Sequence, residues 1–188
     1  FAQHQHRPPN FAIDSVLQAD AINNDEAAKF GEVIIQDQGG RMKPANTFAS
    51  ELVRKVSKSD HYKSLDANQV LLSITQNPII WYQVPFVYLK RGNDSIRSLV
   101  GVDKKAKYAS FANFFDTQGN YKLAPYLEAA YKSATPNQFE KDFIQTDRKV
   151  NLLFSALEGK VLRIFPVPND ENNLWVSPAE VNEISFEG

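Results

Sequence analysis

The 188-residue sequence contains no cysteine. That excludes disulfides, thiolate metal sites and cysteine nucleophiles, and says nothing about compartment. Histidine is nearly as scarce, with three residues. A catalytic nucleophile needs a base held beside it. His4 and His6 sit in a proline-containing N-terminal stretch far from His61, so no Ser-His-Asp set suggests itself, and no Gly-x-Ser-x-Gly elbow occurs. There is no Gly-Lys-Ser/Thr phosphate loop and no dinucleotide fingerprint. No run approaches the roughly 20 apolar residues of a membrane-crossing helix. With a formal net charge of −1, the chain lacks the basic excess of a nucleic-acid binder. It opens on Phe1 and shows no signal peptide, which points to a segment of something longer.

What is present is core material: 43% hydrophobic residues and 13 phenylalanines. A chain of this length reads as one domain burying roughly 70% of its unfolded surface. The expected architecture is α+β, a helix-rich single domain over 13–188 with small antiparallel hairpins packed on a long helix in the C-terminal half. Residues 1–12 read as an extended arm, because Pro8 and Pro9 interrupt a stretch with little apolar periodicity.

Residues 33–56 form the most organised stretch. Val33-Ile34-Ile35 favours a strand, and Asp37-Gln38-Gly39-Gly40 reverses the chain. Arg41-Met42-Lys43 then returns as the second arm of a hairpin. Pro44 ends the pairing, Asn46 or Thr47 caps the next helix, and Phe48, Ala49, Leu52, Val53 and Val56 line its buried face. The glycine pair beside Arg41 and Lys43 could expose amides to a carboxylate, which makes Asp37, Gly39, Gly40, Arg41 and Lys43 a candidate ligand-binding or docking site. A bare hairpin-to-helix corner explains the same residues.

Further along, Asn24-Asp25-Glu26 opens a short helix that Gly31 closes. Asp66 and Gln69 make a capping box, and Pro78 opens a short helix carrying Trp81. Val84 to Lys90 is a strand with Pro85 at its edge, and Gly101 closes a helix bearing Ile96, Leu99 and Val100. Ser110 caps a short element whose Phe111, Phe114 and Phe115 read as core. Thr135-Pro136 starts the longest helix, with Phe139, Phe143, Thr146, Val150, Phe154 and Leu157 on one stripe before Gly159. Lys160 to Phe165 is a strand, and Ser177 to Glu180 is another capping box. Lys104, Lys105 and Lys107 read as a solvated loop. Asp37, Asp116 and Asp170 read as turn formers. His4 and His6, two apart, could face a metal together from a strand, but no third ligand lies nearby.

The run Gln36-Asp37, Gly39-Gly40-Arg41, Lys43-Pro44 and Asn46-Thr47 resembles a segment of the fused system II cytochrome c biogenesis proteins, the ResB/CcsA-type synthases of Bacteroidetes-type bacteria. Leu65 to Val70, Asn77-Pro78 with Trp81, Ser110-Phe111 through Leu123, and Phe165 to Asn169 with Trp175 and Ser177-Pro178 continue the likeness in order over most of 28–180. The resemblance implies an extracytoplasmic, periplasmic domain of a multi-pass membrane protein that exports haem and attaches it to a Cys-x-x-Cys-His apocytochrome. It implies apocytochrome c and the membrane-embedded parts of the same synthase as partners. Haem is implied for the parent protein, but none for this segment, which lacks the tryptophan-rich signature and the membrane histidines of the family. The implied role is an accessory scaffold or docking surface with no catalytic centre of its own. The alternative is a haem- or small-ligand-binding module using His61, the His4/His6 arm, or the Gly39-Gly40-Arg41 turn.

Overall fold

The computed structural model describes residues 10–181. Two helices open it, α1 (Asn10–Ala19) and α2 (Asn24–Gly31), followed by the ribbon of β1 (Ile34–Gln36) and β2 (Met42–Pro44) and by α3 (Ala45–Ser57). A second ribbon, β3 (His61–Tyr62) and β4 (Leu65–Asp66), leads into α4 (Ala67–Gln76) and the short α5 (Pro78–Trp81). Next come β5 (Pro85–Tyr88), α6 (Asp94–Val100), β6 (Tyr108–Ser110) and a 3-10 turn at Phe111–Phe114. The chain closes with α7 (Ala124–Lys132), α8 (Gln138–Leu157), β7 (Phe165–Pro166), β8 (Trp175–Val176) and α9 (Pro178–Val181). The strands pair antiparallel in four separate two-stranded ribbons among the described residues. The fold is therefore α+β and helix-rich, as the residue pattern requires.

The core lies where α3 meets α2, α4, α8 and β5, with α7 closing on α8. Trp81, Phe86, Phe114 and Phe143 are fully enclosed. The Trp81 indole donates to Ser73 Oγ at 2.9 Å, which satisfies its one polar atom. Gly31 packs closely against α3 and α4. A Cβ there would sit 2.8 Å from Asn68 Nδ2, the movable end of its side chain, and 3.0 Å from Asn46 Cβ, so a side chain at this position would crowd Asn46 in particular.

Several expectations hold in atomic detail. The β1–β2 hairpin pairs Ile35 with Lys43. Asp66 and Gln69 close their capping box, Pro78 opens α5, and Gly101 ends α6 at φ +71°. At the start of α9 the expected box forms by half: the amide and the hydroxyl of Ser177 both donate to Glu180 Oε2, while the Glu180 amide bonds the Ser177 carbonyl and not its side chain.

Others are corrected. α3 begins one residue before Asn46, and neither Asn46 nor Thr47 caps it. Its first amide, on Ala45, instead donates to Val33 O at 2.8 Å, because the strand beside the helix supplies the acceptor that a cap would otherwise provide. α8 starts later than Thr135-Pro136: Asn137 caps it and forms a box with Glu140, a more complete start than a threonine-proline pair offers. Its 20 residues span about 30 Å. Phe139 and Phe154, assigned to the buried stripe, are 42% and 39% exposed. Lys160 to Phe165 is not one strand: Arg163 bridges Gln36, and only Phe165–Pro166 pairs with β8. The arm expected over 1–12 is helical from Asn10; its first nine residues, His4 and His6 included, lie outside the described residues.

Candidate functional site

The corner at Asp37–Lys43 brings its five expected residues together. Gly40, at φ +79°, takes the left-handed conformation that the reversal needs. Asp37 Oδ1 accepts from the amides of Gly39 at 2.8 Å and Arg41 at 3.0 Å. Its Oδ2 lies 2.9 Å from Lys43 Nζ, which also meets Glu51 Oε2 at 3.1 Å. The Lys43 hydrogen bond, ahead of the two amides, holds the Asp37 carboxyl below its ordinary value against the opposing effect of burial. Lys43 is raised in turn, first by Asp37 and then by Glu51. The nest thus exists and holds the chain's own carboxylate. An outside carboxylate would have to displace Asp37 and break its bond to Lys43.

His61 stands exposed on β3, with Nδ1 2.6 Å from Asp60 Oδ1. A carboxylate on one ring nitrogen fixes the ring and leaves Nε2 as the nitrogen that could meet a metal. The ring lines a groove of about 370 Å³ together with Tyr62, Phe86 and Tyr108. Tyr62 donates to Asp14 at 2.7 Å; burial first, then Asp14, pushes its phenol up. Lys63 reaches the same carboxylate at 3.1 Å. Among the described residues no group of three or more histidine, aspartate or glutamate side chains is arranged to hold a metal ion.

Two surfaces escape the sequence reading. One is an aromatic groove of about 620 Å³ lined by Tyr82, Phe111, Phe115, Tyr121, Val150 and Phe154. Phe111 and Phe154 stack with their rings 9° apart and centroids at 5.8 Å, and Tyr82 meets Phe111 edge-on at 4.9 Å. Tyr121 and Tyr131 both donate to the buried Asp147, at 3.0 and 2.8 Å. Burial first, then Asp147, raises both phenols, so they remain donors, not bases. The residue pattern alone assigns Phe111 and Phe115, with Phe114, to the core and Phe154 to the α8 stripe; that Phe111, Phe115 and Phe154 share one wall, with Phe154 partly outside, depends on how α8 is rotated. The other surface is a lysine-lined groove beside Tyr88, where Lys149 of α8 is 9% exposed. Its position between Thr146 and Val150, inside an apolar stripe, is the one feature of the residues that could have revealed it. No helix among the described residues is long and apolar enough to cross a membrane.

No protein-family model matches the chain. Over 154 residues, 80% of its length, it is 31% identical to protein NrfI of Wolinella succinogenes, of which the matched stretch covers 17%. The chain is thus similar to a part of a much longer protein.

Proposed function

We propose that this chain is an extracytoplasmic accessory domain of a ResB/CcsA-type cytochrome c synthase and offers a docking surface to apocytochrome c. The observation that carries this reading is the likeness to NrfI over four-fifths of the chain, which supports a part in cytochrome c biogenesis. The sequence resemblance to the fused synthases runs from the Asp37 corner to the Ser177 cap. The aromatic groove between the 3-10 turn and α8 is the surface we assign to docking. It is concave and apolar, and Phe154 and Phe115 at its wall can meet the apolar side chains of an unfolded polypeptide.

The test is holocytochrome c yield, read by haem staining, in cells expressing the parent synthase with Phe154→Ser in this domain. Phe154 is already partly outside the core, so the domain should keep its fold. The yield should fall severalfold while the level of the synthase stays constant. An unchanged yield would remove the groove from the proposal. An unchanged yield after excision of the whole domain would remove the role itself.

A haem-binding module at His61 is the second reading, and the carboxylate-oriented ring at the mouth of a partly aromatic groove favours it. Titrating the purified domain with haem should then give a Soret shift that His61→Ala abolishes. A shift that survives the substitution would discard His61 as the ligand.

A further inference from the structure

Four lysines from four different elements converge on one concavity. Lys58 sits at the C-terminus of α3, in a left-handed turn at φ 59°. Lys90 follows β5, Lys107 precedes β6, and Lys149 projects from α8. With Tyr88 and Gln145 they line a groove of about 500 Å³, a volume suited to a small molecule. The convergence is tertiary: the backbone of Leu89 donates to Lys107 O at 3.0 Å, which joins the β5 and β6 sides, while α8 packs across β5.

The charges are unbalanced. Lys90 meets Asp142 at 3.0 Å, and Gln138 occupies the same carboxylate oxygen at 2.7 Å. Lys58, Lys107 and Lys149 have no carboxylate within ion-pair distance among the described residues. Lys149 is 9% exposed, and its ammonium has one acceptor, Tyr88 O at 2.8 Å, with the Tyr88 ring centroid 5.0 Å away. An ammonium has three donors. A buried cation with one hydrogen bond and other lysines around it is costly to the fold, and such groups cluster at binding sites.

We propose that this groove binds a soluble small oxyanion carrying two or more negative charges, a polycarboxylate or a phosphate ester, with Lys58, Lys90, Lys107 and Lys149 as its ammonium donors. The anion would supply the acceptors that Lys149 lacks and neutralise the repulsion among the four side chains. Lysine suits this task as a point charge that needs no planar, two-pronged partner. A macromolecular polyanion fits less well, since the cluster is one pit on a chain of net charge −1 and not a stripe. The site stands apart from the docking role, and neither stands or falls with the other.

The site also carries a pH signature. Burial, then Lys58, then Lys90 lower Lys149 to about 8, with Asp142 opposing them. The other titratable or charged groups facing it are Tyr88 on β5 and Lys107 before β6. Binding should therefore weaken as pH rises through that value.

Calorimetric titration of the full chain with citrate, and separately with inorganic pyrophosphate, tests the proposal. At neutral pH both should bind, and Lys58→Gln with Lys107→Gln, two exposed positions, should weaken binding at least roughly tenfold. Lys104→Gln with Lys105→Gln changes the charge equally in the loop before β6, outside the groove, and should leave affinity unchanged. Citrate affinity should fall from below to above the Lys149 transition near pH 8. Three outcomes would overturn the site: no binding of either anion, equal losses in both double variants, or binding only to vesicles containing phosphatidic acid.

Discussion

Gln36 and Trp175, 139 positions apart, are joined through one carboxamide: Gln36 Oε1 accepts from Trp175 N at 2.9 Å. The Nε2 of the same side chain donates to Asn173 O at 2.8 Å, and the Gln36 amide donates to Arg163 O at 3.0 Å. Gln36 is 4% exposed. One buried side chain therefore ties the first ribbon to the last and satisfies backbone groups that neither ribbon can pair for itself.

Gln36→Leu should cost about 1–3 kcal/mol, because it leaves the half-buried Trp175 amide and the Asn173 carbonyl without their side-chain partner while barely changing volume. Urea denaturation measures the loss. Proteolysis should then cut first between residues 165 and 176, since the C-terminal ribbon loses its tie while the α3–α4–α8 core does not.

Arg97 predicts a second large effect. Its guanidinium, on a residue 3% exposed, donates to the backbone carbonyls of Leu89, Lys90, Asn93 and Ala106 at 2.9 to 3.2 Å. It thereby replaces a missing strand partner for the loop after β5. Arg97→Lys keeps the charge but cannot reach four carbonyls from one ammonium. A loss of about 2–4 kcal/mol is expected in chemical denaturation; a loss below about 0.5 kcal/mol would show that water replaces those bonds.

Gly31→Ala reverses the usual sign. At a conformation both residues can adopt, here the last residue of α2, the change ordinarily stabilises by up to about 1 kcal/mol. Here the new methyl meets Asn46 Cβ and Asn68 Nδ2 at 3.0 and 2.8 Å, and overpacking of this kind costs roughly 1–3 kcal/mol. The melting temperature should drop, and adding Asn68→Ala should recover part of it; without recovery the clash lies with Asn46.

The Asp37–Lys43 pair makes stability depend on acid. Asp37 is held below 3.8 in the fold, chiefly by Lys43, so its contribution is present above that ordinary value and disappears as pH falls through the lowered one. Lys43 is raised above 10.5, chiefly by Asp37, so its share is present below that value and is lost as pH rises through the raised one. Lys43→Met should therefore destabilise by roughly 1 kcal/mol at neutral pH, a modest amount for a partly solvated pair. The difference from the parent should shrink as Asp37 is protonated, as thermal melts across that acid range would show.

Features whose partners lie within two to four residues were legible in the sequence. Asp37, Asp116 and Asp170, read as turn formers, each accept from the amides two and four positions ahead. The Asp66–Gln69 box closes over three residues, and over the same span Ser177 donates from its amide and hydroxyl to Glu180. Such bonds depend on side-chain length and turn geometry, which the residues carry with them. The corner at Asp37 was legible as a nest, but not what fills it, since Asp37 could serve as turn former or leave the amides free.

Tertiary structure decided the rest. Whether Ala45's amide finds Val33, whether Phe154 is covered, and whether Lys149 lies in solvent or among three other lysines all depend on how α3, α8 and β5 approach one another. Periodicity assigns a residue to a face, but only the neighbour that reaches that face determines whether it becomes core, groove or surface. The lysine groove shows this most clearly: its cations come from four elements between residues 58 and 149, and no local pattern relates them until the packing of the core brings them together.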